Sequence, residues 1–150
     1  MVQLIDGVNL YPLDTIPSKG GSIFHCLKSS DENFLDFGEA YFSEIEYQNI
    51  KGWKMHSKMH MNLFVAHGAV KFVLYDDRPK SKTFMSFNEI TLDSSKNYKR
   101  LSVRPGIWFA FQGIKESTIS KVLNLSNIEH DPFEQKTINI NEIEYNWGLL

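Results

Sequence analysis

Apolar runs of strand length, separated by turn residues, recur along this chain and leave little room for helix. Asn62–His67 (NLFVAH) is followed by Gly68, where a hairpin turn would sit, and then by Ala69–Tyr75 (AVKFVLY). The second run is near-continuously apolar, too short and too rich in β-branched and aromatic residues for helix. Asp76-Asp77-Arg78-Pro79-Lys80-Ser81 then punctuates the pattern with turn residues. Further strand-like pieces are Glu39–Gln48, Thr83–Leu92, Lys99–Val103, Ile107–Gln112, Ser117–Leu125 and Thr137–Ile140. This spacing predicts an all-β, antiparallel sandwich or barrel. The best helical candidate is a short turn near Ser29–Phe34, where Ser30 or Asp31 would cap. No internal repeat or linker interrupts the chain, so one domain over residues 1–150 is expected.

Charge and cysteine content narrow the function classes. Sixteen Lys+Arg against 18 Asp+Glu give a formal net charge of -2, with no global attraction to nucleic acid or an anionic membrane. The single Cys26 cannot form an internal disulfide and excludes a four-cysteine zinc site. No apolar run approaches the roughly 18 residues of a membrane span, and the N-terminus has no signal-peptide pattern. A soluble, cytoplasmic domain with no nucleic-acid or membrane partner is the expectation.

Two segments suggest a pocket. Arg104-Pro105-Gly106 introduces IWFAF (Ile107–Phe111) through a Pro-Gly turn, and Gly52…His56…Gly68 precedes it. Together they resemble the two-part outline of a cupin, a jelly-roll (double-stranded β-helix) barrel whose inward residues line one mouth. A metal-binding cupin needs clustered His and acidic ligands. The first segment here holds His56, His60 and His67 but no acid, and Phe109 stands where the second segment would supply His. On a strand, His56 and His60 lie roughly 13 Å apart, too far to share an ion. No metal is expected, and His60 and His67 read as surface or turn histidines.

The order of GEAYFSEIEYQNIKGWKMH, GAVKFVLYDDRPKSKTF, RLSVRPGIWFAF and HDPFE resembles the dTDP-4-dehydrorhamnose 3,5-epimerase family over about Lys19–Glu134. The resemblance implies a metal-free cupin jelly roll, needing no cofactor and forming a homodimer. It would act on a dTDP-4-keto-6-deoxy sugar of nucleotide-sugar metabolism. The implied chemistry removes a proton beside the ketone and returns it on the other face. That requires a base, an opposing acid and a group to steady the enolate.

The family's Arg-Gly-Leu-His, with His as base, corresponds here to Lys51-Gly52-Trp53-Lys54, and His56 follows two residues later. Lys54 and His56 share a strand face. His56 has the pKa suited to a base, and Lys54 would serve as a cation toward an enolate or phosphate. A structural histidine on the barrel wall is the alternative for His56. The family's Tyr acid falls near Asn124, and a second Tyr falls at His130, which is either a replacement acid or a loop histidine. Asn124 cannot transfer a proton, but its amide can bind a sugar hydroxyl or the keto oxygen. The family's carboxylate partner of the base lies in a C-terminal extension, so none is expected here.

Substrate contacts carry over to Lys19, beside Gly20-Gly21, and to Lys51 as phosphate-binding cations. Lys19 is equally readable as part of a plain loop. Glu44 would contact a sugar hydroxyl or pair with Lys51 or Lys54. Asn62 would offer its amide to a hydroxyl or cap its strand. Arg78 reads as a turn-holding residue through Asp76 or Asp77. The implied function is a nucleotide-sugar epimerase acting at C3, C5 or both. A 3,4-ketoisomerase of the same substrate class and a non-catalytic sugar-nucleotide-binding cupin are the alternatives. The N-terminal VQLIDGVNLYPL is a candidate for adding a strand to a neighbouring subunit.

Overall fold

The computed structural model describes residues 3–148, so Val2 of the N-terminal stretch lies outside the described residues. The strands are β1 (Val8–Pro12), β2 (Thr15–Ile16), β3 (Ile23–Phe24), β4 (Glu39–Ile45), β5 (Ile50–His56) and β6 (Met61–His67). They continue as β7 (Ala69–Tyr75), β8 (Phe87–Asp93), β9 (Lys99–Val103), β10 (Trp108–Gly113), β11 (Ser120–Ser126) and β12 (Gln135–Thr137). Two five-stranded antiparallel sheets, ordered β1-β9-β6-β11-β4 and β12-β5-β10-β7-β8, face each other as a jelly roll. A small β2–β3 hairpin stands apart.

Side-chain alternation builds the core. On β8, Asn88, Ile90 and Leu92 are buried while Phe87, Glu89 and Thr91 are exposed, the period-two signature of a half-buried strand. Leu63, Val65, Val70, Phe72, Leu74, Leu101 and Val122 meet between the sheets. Gly68 makes the β6–β7 turn at φ +81, and a Cβ there would lie 2.2 Å from Ser120 Oγ. A second apolar cluster, Trp53, Val73, Trp108, Ala110 and Trp147, covers the outer face of the β5-containing sheet.

Several boundaries differ from expectation. The strand expected over Thr83–Leu92 begins at Phe87, because Asp76 captures the preceding turn. Its backbone carbonyl accepts from Met85 N at 2.7 Å, and its carboxylate accepts from Ser81 Oγ and Thr83 Oγ1. Arg78 holds this turn through Asp76, with Nε donating at 2.7 Å. Ser29–Phe34 forms successive turns and no helix, with Asp31 Oδ2 accepting from Lys28 N. The Thr137–Ile140 strand stops at Thr137, because Asn139 caps a 3-10 turn at Ile140–Glu142. The N-terminal strand β1 pairs with β9 of its own chain.

Candidate functional site

β5 carries three of the expected site residues, Lys51, Lys54 and His56. Plain alternation would place Lys51 on the face opposite Lys54 and His56. The β10–β5 register, however, shifts between Phe109, which faces Lys54, and Phe111, which faces Lys51. The extra residue brings Lys51 back to the inner face. Gly52 makes this possible: it adopts φ +136, and a Cβ there would lie 2.4 Å from Ala110 Cβ. Lys51, Gly52, Lys54, Phe109, Phe111 and Thr137 form one wall of a cavity of about 180 Å³, and Tyr41, Ser43 and Asn124 form the other.

His56 lies one layer deeper on the same face, its ring stacked on Phe109 at 6.0 Å. It is 4% exposed and Glu134 is 3% exposed. Nδ1 of His56 is hydrogen-bonded to Glu134 Oε1, and Nε2 has no protein partner. Glu134 Oε2 accepts from Lys58 N and Met59 N, each at 3.1 Å. Burial pushes the Glu134 pKa up, but the His56 and backbone hydrogen bonds outweigh it and hold the carboxyl below its ordinary range. For His56 burial prevails: it lowers the pKa below the usual value against the pull of Glu134, with Lys54 and His130 adding to the lowering. The result is a neutral imidazole with its proton on Nδ1 and a lone pair on Nε2.

A carboxylate partner for His56 is therefore present within the chain, which overturns the expectation that it was lost with a C-terminal extension. Glu134 comes from HDPFE and packs against β5 through β12. Asp-Pro before it and the exposed Phe133 gave that segment the look of a surface loop.

The other expected site residues divide. Lys51, Lys54 and Asn124 come together in the cavity. Asn124 Nδ2 donates to Ser43 Oγ at 3.2 Å and to the Tyr41 carbonyl at 3.3 Å. Glu44 lies outside the cavity, in an adjoining groove, and pairs with Lys121 at 3.4 Å; Lys51 Nζ donates to its backbone carbonyl at 2.6 Å. Asn62 points to the opposite face of its sheet, where Oδ1 accepts from Arg100 at 3.1 Å. Lys19 is on the exposed β2–β3 loop, and His130 is exposed near His56. His60 is not a surface residue: it is 3% exposed and its Nε2 meets Ser102 Oγ at 2.6 Å. His67 is exposed at the β6–β7 turn.

Sequence reading passed over Tyr41. It lines the cavity directly opposite Asn124 in the β11–β4 register, so a phenol stands on the strand beside the expected Tyr position. Burial, then the nearby Glu39, raises its pKa and keeps it protonated.

A dTDP sugar isomerase from Desulfovibrio desulfuricans superposes with a TM-score of 0.91 at 34% identity, covering 96% of this chain and 92% of that one. This chain belongs to the dTDP-sugar isomerase family. The jelly roll is shared with NovW, a 4-keto-6-deoxy sugar epimerase from Streptomyces spheroides, at TM-score 0.84 and 19% identity over 97% of this chain and 76% of NovW. It is also shared with QdtA, a sugar 3,4-ketoisomerase from Thermoanaerobacterium thermosaccharolyticum, at TM-score 0.73 and 21% identity over 89% of each chain. No protein-family model matches this chain, and no curated protein matches it. Among its described residues no helix is long and apolar enough to cross a membrane.

Proposed function

We propose that this protein is a nucleotide-sugar epimerase that acts on a dTDP-4-keto-6-deoxy sugar by removing a proton from a carbon next to the ketone. The buried His56–Glu134 pair beside the cavity carries the reading. His56 Nε2 takes the proton and the electron pair moves onto the keto oxygen. Lys54 offers a positive charge to that enolate, and Asn124 a hydrogen bond. Tyr41, on the opposite wall, returns a proton to the other face. Lys51, which lines both the cavity and the adjoining groove, binds the diphosphate.

Ketone transposition between C3 and C4 is the second reading. It is favoured by one observation: the three basic groups Lys51, Lys54 and His56 all lie on β5, as same-face proton transfer from C3 to C4, one stereochemical course of a carbonyl shift, requires. Incubation with dTDP-4-keto-6-deoxyglucose in deuterated water tests both readings. Deuterium next to the ketone is the expected result, and His56→Ala should cut its incorporation by about a hundredfold or more. Binding without exchange would leave a non-catalytic cupin. NMR of the product distinguishes an epimer from a shifted ketone.

A homodimer belongs to this proposal. Exposed Ile23, Phe24, Leu35, Phe37 and Phe42 supply apolar surface for a second copy, and light scattering checks the mass.

A further inference from the structure

Two polar atoms in the layer below the cavity are buried without a protein partner: His56 Nε2 and Gln135 Oε1. Their placement is linked. β12 pairs with β5 so that Thr137 faces Lys54 and Gln135 faces His56. Opposed residues of an antiparallel pair share a face, with Cα atoms about 5 Å apart. Lys54 and Thr137 both line the cavity, so His56 and Gln135 form the next pair inward on the same face.

Both atoms are acceptors. Glu134 holds the His56 proton on Nδ1, which leaves a lone pair on Nε2, and Oε1 of an amide only accepts. As placed, neither atom offers the other a proton, and a buried acceptor without a donor is costly. A carbon bearing both a hydrogen and a hydroxyl matches the pair: its C–H faces the base and its O–H donates to the amide oxygen.

We infer that Gln135 is a specificity-determining residue that binds the hydroxyl on the carbon from which His56 removes the proton. In a 4-keto-6-deoxy sugar the carbon next to the ketone that carries a free hydroxyl is C3; C5 carries the ring oxygen and a methyl group. The site therefore takes α-hydroxy ketones and abstracts at C3. The inference rests on the nucleotide-sugar reading above.

Calorimetry with dTDP and dTDP-quinovose, which needs no turnover, tests it. The wild-type protein should bind dTDP-quinovose more tightly than dTDP. Gln135→Leu should weaken dTDP-quinovose by about tenfold and leave dTDP unchanged. Gln135→Glu, which keeps an acceptor, should retain most of the difference. In deuterated water the 4-keto substrate should gain deuterium at C3. Equal dTDP-quinovose binding by wild type and Gln135→Leu would overturn the inference alone, as would exchange at C5 with none at C3. Wild-type protein that bound neither ligand would overturn the nucleotide-sugar reading as well.

Discussion

In the proposed mechanism, Glu134 is what makes His56 usable as a base. Without an acceptor at Nδ1, a buried imidazole has no fixed tautomer; with Glu134 there, Nε2 is left unprotonated. Proton abstraction requires the neutral form, so activity should rise with pH through the His56 pKa, which lies below the ordinary 6.5. Glu134 raises that pKa and burial lowers it. Removing the charge in Glu134→Gln should therefore shift the acid limb of the kcat profile to still lower pH. It should also reduce kcat by about a hundredfold, because the tautomer is no longer enforced. A rate profile with an unmoved acid limb would argue against His56 as the titrating base. His60 shows the limit of residue-scale reading. It shares KMHSKMH with His56, yet its partner is a serine hydroxyl on β9 and it faces no carboxylate.

At the scale of elements, β6 and β7 were legible because burial on both sides of a short strand leaves a continuous apolar run with Gly68 between. β5 was less so. IKGWKMH mixes Lys with Trp and Met, and its register depends on a shift against β10 that no period-two pattern contains. That shift sets Lys51 and Lys54, three residues apart, on one wall. Gly52→Ala should break it, since the added methyl would press on Ala110 Cα at 2.7 Å and on its Cβ. A stability loss on the order of 2 kcal/mol is expected in urea unfolding, together with weaker dTDP binding as Lys51 moves. Loss of stability with unchanged dTDP affinity would detach Lys51 from the phosphate role.

For the molecule as a whole, the inner and outer faces of the β5-containing sheet do separate work. The inner face carries the cavity. The outer face is closed by the segment after β12, where Trp53 Nε1 donates to the Ile140 carbonyl at 3.1 Å and Trp147 packs on Trp53 at 5.8 Å. Lys71 Nζ lies 5.4 Å from the Trp147 ring and donates to its carbonyl. Trp147→Ala should cost about 3 kcal/mol of unfolding free energy. Because Trp147 is remote from the cavity side, the folded fraction should bind dTDP at wild-type affinity. Thermal unfolding and calorimetry below the transition measure the two effects separately.

The sequence alone determined the all-β class, most strand positions, the jelly-roll outline and the family. These follow from local periodicity, turn residues and motif order, which a linear reading contains. It also placed Lys51, Lys54 and Asn124 as site residues, and the structure brings them into one cavity. Only the tertiary structure decided what surrounds His56. Glu134 lies 78 residues away along the chain, and Gln135 reaches the same strand through the β12 pairing. Tyr41 meets Asn124 through the β4–β11 pairing in the same way. Such contacts depend on which strands become neighbours and in what register. Packing of the whole barrel decides both, and no short segment encodes either.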